Sequence, residues 1–383
     1  METQSTNNDT LVEVLSWLPA ETLLRFETVS KGWHNIISDD IFQRVQCQRA
    51  KAKPKISGFF FQNLFDSPKE VKYISLSSNR AIAHPKVLDF LAAKVDLAAS
   101  SNGLLCCHTE QNFHPSRANR VKFVYVCNPA TKKFVQIEWP KGTNRHLTFG
   151  LAFDPSCTPV DDLPNFKLVC VSNEDTSHFL FQVYSSKTTE WRTLKTCKYS
   201  QSWCGMPHDQ VVFASGVLYW IVQGSGILAF HVETELSYFI SFPVPWEHKS
   251  HQGIHENGIG ESKGQLHYIL ISEVGIGLWR LSSEFKWELE RFMSLSAMEE
   301  EFPYFLYNEA KEAAGLVPSD WLTPKWIEPL FLHDDILLLK LRCSFSYEMI
   351  MLKTAPRSTS ITLAPRCWRN YAPLKSWTPT ISS

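Results

Sequence analysis

The sequence has no excess of either charge: 38 Lys and Arg stand against 39 Asp and Glu, for a formal net charge of -1. Without an overall field there is no bulk attraction to nucleic acid or to an anionic membrane, so neither is an expected partner. A secretory leader is also missing. The opening METQSTNNDT carries neither a basic segment nor an apolar run, and the expected compartment is the cytoplasm, the nucleus or both. There is no C-x-x-C pair; the 10 Cys are scattered, several inside apolar runs where a thiol acts as a small hydrophobe, which argues against a disulfide framework or a zinc site. No G-x-x-x-x-G-K-[ST] phosphate loop, G-x-G-x-x-G after a strand, or H-E-x-x-H occurs. Those absences leave no catalytic residue, no cofactor and no metal ligand to nominate, and the expectation is a protein that is not an enzyme.

Weaker signals of the same kinds resolve blandly. Val211–Phe230 carries no charge over a length that suits a bilayer, but Gln223-Gly224-Ser225-Gly226 interrupts it as a turn, giving strand, turn, strand instead of a membrane span. His248, His251 and His255 sit close enough in sequence to converge on one ion, yet they fall in a Gly- and charge-bearing stretch that reads as a solvated loop; His108 and His114 have the same standing. Glu299–Glu301 reads as an exposed acidic face.

What is present is a globular composition, 44% hydrophobic with 13 Trp and 25 Phe in 383 residues, more than one average domain. From Thr10 to about Val45 the period is helical. Thr10 with Glu13 fits a capping box, and Leu11, Val14, Leu15 and Leu18 form one stripe. Pro19 halts that helix and opens a second carrying Leu23, Leu24, Phe26 and Val29; Ser30 caps a third with Trp33, Ile36 and Ile37, and Ser38-Asp39-Asp40 starts another with Ile41, Phe42 and Val45. So small a cluster of helices holds more apolar side chains than it can hide alone, and some must meet a partner or the rest of the chain.

Residues 49–55, Arg49 to Lys55, form a basic hinge in which Pro54 disfavours further helix. Beyond it the period becomes two. Short β-branched and aromatic runs recur between turn signals, among them Ser57–Phe61, Lys122–Cys127, Phe166–Val171, Leu180–Tyr184, Val217–Val222, Leu266–Ile271 and Ile336–Arg342. A strand, a turn rich in Lys, Thr and Glu, and a second strand with an aromatic recur at Tyr125–Ile137, Phe181–Leu194, Ile227–Phe239 and Leu278–Leu289. Repetition of that unit points to a β-propeller over residues 56–353, with about six or seven blades at the usual repeat length. Asn308–Ala314 before Gly315 reads as a short helix in an insertion near 298–328, and residues 354–383 as a tail or a closing strand. The fold class expected is therefore α+β multidomain: an all-α module over residues 1–48, then an all-β propeller.

Glu13–Phe42 resembles the F-box, with Leu18-Pro19, Leu23-Leu24-Arg25-Phe26 and Val29-Ser30-Lys31-Gly32-Trp33 all at that family's spacing. The larger part resembles the F-box-associated, kelch-related propeller region of plant F-box proteins through Ser101-Asn102-Gly103-Leu104-Leu105-Cys106, Asn128-Pro129-Ala130-Thr131, Phe149–Asp154, Gly216–Trp220 and Leu278–Leu281. The resemblance implies a substrate receptor of a cullin–RING ubiquitin ligase: the F-box binds a Skp-family adaptor, which carries cullin and RING subunits, and the propeller presents an unknown target protein. The adaptor-binding set it implies is Leu11, Leu15, Leu18, Pro19, Leu23, Leu24, Val29 and Trp33; for Leu15, Phe26 and Trp33 the alternative is the module's own core. Two departures stand out. Thr6-Asn7 occupies the place where the family usually has Leu-Pro, which implies a weaker adaptor contact, and Trp17 stands where the family often has Arg. Two other readings remain open at this stage, an interaction scaffold with a decayed F-box and a propeller that binds a small molecule or glycan. Residues 248–264 and 298–326 are the candidate target-binding loops.

Overall fold

The described helical segments of the N-terminal module are α1 at residues 10–15, α2 over Ala20–Phe26 and α3 over Lys31–Ile37, followed by helical residues at 41–43, 45–46 and 49. Helices this short are marginal in isolation, so packing and caps must hold them. Ser30 caps α3 from an extended conformation, its Oγ accepting from Trp33 N at 3.2 Å. Asp39 Oδ1 accepts from Ile41 N and Phe42 N, at 2.9 and 3.1 Å, and starts the next helical turn. The carbonyls those helices leave open are then taken by amides from downstream, Gln43 Nε2 on Ile37 O at 3.1 Å and Gln46 Nε2 on Leu18 O at 3.2 Å.

This chain, seen in a computed structural model, is described at residues 10–18, 20–39, 41–43, 45–46, 49, 58–62, 70–75, 83–84, 86–109, 121–141, 147–154, 165–173, 178–194, 197–198, 207–222, 226–244, 256–272, 274–297, 326–333, 336–342, 347–353 and 360–363. It divides into two compact units, Met1–Trp246 and Glu247–Ser383. Hinge residues 50–55 and the helix expected at Asn308–Ala314 lie outside the described residues.

After the helices, the described strands fall into successive antiparallel sets in chain order. In the first unit these are Gly58–Gln62, Val71–Ser75 and Ala83–His84; then Val95–Ser101, Leu104–Thr109, Phe123–Asn128 and Lys133–Glu138; then Thr148–Ala152, Lys167–Asn173, His178–Ser185 and Glu190–Thr193; then Pro207–Ala214, Val217–Val222, Gly226–His231 and Ser237–Ile240. The second unit holds one eight-stranded sheet made of two such sets, Glu256–Ser262 to Trp287–Ser294 and Trp326–His333 to Ser360–Leu363, joined by a parallel pairing of Glu261 with His333. Among the described residues, six consecutive antiparallel meanders match the blade pattern expected of a propeller. Ser360–Leu363 pairs with Tyr347–Lys353 as the last strand in the order of that sheet. Trp326–Glu328, assigned from sequence to the insertion, instead opens a strand.

Alternation explains why so many runs are apolar without a polar face. In the second set Leu104, Cys106, Val124 and Val126 pack with Phe149, Leu151 and Leu168 of the third, while their neighbours Leu105, Cys107, Tyr125 and Cys127 pack with Val71 of the first. In the third set Val169, Val171, Phe181 and Val183 likewise meet Leu218, Trp220, Leu228 and Phe230 of the fourth. The central strands are buried on both faces, and Val217–Val222, buried throughout, therefore imitates a membrane segment in sequence.

The repeat has a turn chemistry of its own. The first and second strands are joined by two-residue turns with both residues at positive φ: Asn102-Gly103, Ser215-Gly216 and Lys263-Gly264, the type I′ geometry whose second position favours Gly. The third and fourth are joined by longer turns closed from Lys132 N to Asn128 O, Thr189 N to Ser185 O and Glu235 N to His231 O, each 2.8 Å. Asn128 Oδ1 and His231 Nδ1 each accept two further turn N–H groups, and Ser185 Oγ accepts one. Between sets, Gln62 satisfies the backbone at the bulge in Val95–Ser101, accepting from Leu97 N at 2.8 Å and donating to Val95 O at 2.9 Å.

In the second unit the two first strands approach so closely that a Cβ on Gly260 would lie 2.3 Å from Leu332 Cβ and 2.8 Å from Leu332 O. Since backbone must move to admit a methyl, Gly260→Ala is expected to destabilise this unit by about 1–3 kcal/mol in chemical unfolding. Beside it, Glu261 Oε1 accepts from Gly264 N and Oε2 meets His333 Nδ1, both at 2.6 Å. Burial alone would raise the Glu261 pKa, but the bonds from His333 and the Gly264 N–H outweigh it and hold the carboxyl below its usual value. A depressed folded-state pKa contributes stability that is present above the unfolded value of about 4.3 and lost as pH falls through the folded one. Glu261→Gln should therefore flatten the acid side of the stability curve measured by urea unfolding.

Candidate docking surface

The helical module closes a core of its own. Leu15, Leu23, Ile37 and Phe42 are buried together, with Leu11, Val12, Leu18, Phe26, Trp33 and Ile36 half-buried around them, and every one of these residues comes from the module. Phe26 and Trp33 meet edge to face with ring centroids 5.2 Å apart. Around this knot several large apolar side chains face solvent: Val14 at 57% exposure, Trp17 at 53%, Val29 at 61% and Ile41 at 71%.

The expected adaptor-binding residues accordingly separate. Leu15 and Leu23 are core, 1% and 5% exposed, and have no area to offer a partner unless the module opens. Leu11, Leu18 and Trp33 are half-buried and present only an edge, while Val29 is fully presented. Pro19 and the Leu24 side chain lie outside the described residues. Val14 and Ile41, outside the expected set, are also exposed, since a helical stripe shows which residues are apolar and not which side of the stripe remains uncovered; Val14, one position before buried Leu15, sits at its outer margin.

Arg49 belongs to this module and not to the hinge. It donates to Glu13 O at 3.0 Å, Glu13 Oε2 at 2.6 Å and Ser16 Oγ, and its guanidinium lies 4.6 Å above the Trp17 ring. Where the sequence pairs Glu13 with Thr10, the structure gives its carboxylate to Arg49 and to Trp17 Nε1. The bond from Arg49 first, then that from Trp17, holds the Glu13 carboxyl below its usual pKa.

A family profile described as F-box-like matches residues 8–49, and one described as F-box protein At3g26010-like, beta-propeller matches residues 56–309. The chain belongs to the F-box proteins with an At3g26010-like β-propeller. Among its relatives in Arabidopsis thaliana, F-box protein At5g07610 is 28% identical over 331 residues, covering 79% of this chain and 73% of that protein. F-box protein At5g49610 is 26% identical over 366 residues, covering 90% and 91%. A solved structure of SapL1 lectin in complex with alpha methyl fucoside overlays 82% of this chain and 97% of that one at 10% identity, with a TM-score of 0.42, too loose a likeness to bear on a ligand. F-box β-propeller proteins are typically adaptors and not enzymes, and no catalytic family is indicated.

In this F-box protein the candidate target loops fare differently from the module. Glu256–Ser262 is a strand with Gly258, Ile259 and Gly260 buried, so the C-terminal half of the 248–264 candidate is sheet and not loop; apolar Ile259 alone gave the sequence too little alternation to show it. His248, His251, His255 and His114 lie outside the described residues, as do residues 298–325. His108 is buried against Trp139 and Phe149, a core position.

The division between core and surface is open to test. Leu15→Ala and Leu23→Ala should each cost about 2–5 kcal/mol in the local stability of residues 10–46, read by native-state hydrogen exchange of the full chain. Val29→Ala and Ile41→Ala should fall within about 0.5 kcal/mol of the parent.

Proposed function

We propose that this F-box protein is the substrate-recognition subunit of an SCF-type cullin–RING ubiquitin ligase. Its F-box docks on a Skp-family adaptor, through which cullin and RING subunits are reached, and its propeller holds a target protein for ubiquitination and degradation. The observation that carries the reading is the helical module's private core. With Leu15, Leu23, Ile37 and Phe42 already satisfied among themselves, Val14, Trp17, Val29 and Ile41 are left facing water on a unit too small to bury them itself. Burial of apolar area contributes roughly 25 cal/mol per Å², so a partner that covers such side chains gains directly from them. Of the eight residues expected to bind the adaptor, Val29 would make area contact, Leu11, Leu18 and Trp33 would form the edge of the surface, and Leu15 and Leu23 would act by holding the helices in place.

No covalent step falls to this chain. Its work is to convert a bimolecular encounter between target and ubiquitin-loaded enzyme into a local one by raising the effective concentration of target lysines. The cytoplasm or nucleus, where the ligase components act, is the proposed compartment. The test is co-purification of the full chain with a Skp-family adaptor. A stoichiometric complex is expected, abolished by deletion of residues 1–49 and weakened at least about tenfold by Val29→Asp, which places a charge in the apolar contact. Failure of the intact chain to retain the adaptor would end the proposal.

A further inference from the structure

Trp17 is the exposed apolar residue of the helical module whose position is most constrained. Its Nε1 donates to Glu13 Oε1 at 3.3 Å, and the Arg49 guanidinium lies 4.6 Å over its ring. Arg49 does not wander in turn: it is tied to Glu13 O, Glu13 Oε2 and Ser16 Oγ, across 36 and 33 positions of sequence. Ser16 is itself buried, with its Oγ donating to Glu13 O at 2.9 Å. An indole that presents half its surface to water is thus held in one orientation by groups anchored to the same turn of chain.

Three features of that arrangement specify an occupant. A ring fixed before binding loses little further rotamer freedom when it is covered, and Trp is among the side chains most enriched at the centres of protein interfaces. Glu13 neutralises Arg49 within the cluster, so what surrounds the indole is a compensated ion pair, suited to an uncharged apolar surface and not to an acidic one. Val14 lies three positions earlier, also exposed, so it and Trp17 are neighbours on the helix face where α1 continues into its last turn. We propose that Trp17 is an aromatic anchor for the Skp-family adaptor, and that Arg49 is the positioning residue that keeps it presented. This rests on the adaptor reading above and extends it to a residue that departs from the family's usual Arg.

The experiment is a titration of the full chain with purified Skp-family adaptor, with the melting temperature of each variant measured alongside. Trp17→Ala is expected to weaken binding at least about tenfold with the melting temperature shifted by no more than about 2 °C. Arg49→Ala should weaken it several-fold, and Arg49→Lys should not restore it, since an ammonium has neither the fork nor the plane. The double variant should bind no more weakly than Trp17→Ala alone, because Arg49 acts through the ring. Unchanged affinity in Trp17→Ala, whether or not its melting temperature falls, would mean the indole covers this chain and not the adaptor, and would overturn the proposal. Should Trp17→Ala fail to fold, Trp17→Phe must lose affinity with normal melting, or the proposal falls; fully additive losses for Trp17 and Arg49 would remove the positioning role. A parent chain that binds no adaptor would instead sink the ligase reading, and this inference with it.

Discussion

The packing of Leu15, Leu23, Ile37 and Phe42 against one another decides what the rest of the molecule can do. Helices of six or seven residues hold no shape without tertiary burial, and so few residues can bury only one set of apolar side chains. Once that set is chosen, whatever remains apolar on α1, after α2 and at Ile41 is committed to solvent or to another protein. Arg49 reinforces the choice from the far end of the module, because its bonds to Glu13 and Ser16 fasten the last helical segment to the first. Exposed ion pairs of this kind contribute little to stability individually, typically about 0–1 kcal/mol. Their value here is geometric, in fixing which way Trp17 and the end of the module face.

The β part solves the opposite problem. The second and third strand sets of the first unit are each packed on one face by the set before and on the other by the set after, so neither has a private core. That dependence is characteristic of repeat architectures, where stacking supplies the burial. The connections are where one set is held to another with direction: Gln62 at the bulge of Val95–Ser101, Ser101 Oγ and Asn102 Nδ2 on Phe153 O at 3.1 and 2.7 Å, Trp191 Nε1 on Glu138 O at 2.8 Å, and Lys167 Nζ on Val232 O and Glu233. Body and docking module are built by different rules, and the change of sequence period from helical to alternating after Arg49 reflects that difference.

Much of this was legible in the residues. The helical stripe, the Ser30 cap and the Asp39 start were visible because capping chemistry is local, and the strand runs from Lys122–Cys127 to Ile336–Arg342 were visible because β-branched and aromatic residues cluster there. The turn repeat showed itself in the Lys, Thr and Glu between paired strands, though the Asn128, Ser185 and His231 bonds that close it and the positive φ at Lys132, Thr189 and Glu235 did not. What could not be read were matters decided at a distance. The Glu13 carboxylate is bound by Arg49 from 36 positions away, Glu256–Ser262 becomes a buried strand because Trp326–His333 lies beside it, and Val14 turns outward while Leu15 turns in. Periodicity names the apolar residues of a small helical module without saying which of them the module keeps for itself.

Docking on an adaptor would turn side chains that are wet in the free chain dry in the complex. Hydroxyl-radical footprinting of the full chain, alone and with a Skp-family adaptor, reads that directly. Val14, Trp17, Val29 and Ile41 are expected to be modified in the free chain and protected once the adaptor is added, while Leu15, Leu23 and Phe42 stay unmodified throughout; protection of Trp17 by Arg49 alone is too partial to mask it. Protection of Trp17 and Val29 before any adaptor is present, or modification unchanged after it binds, would contradict the account.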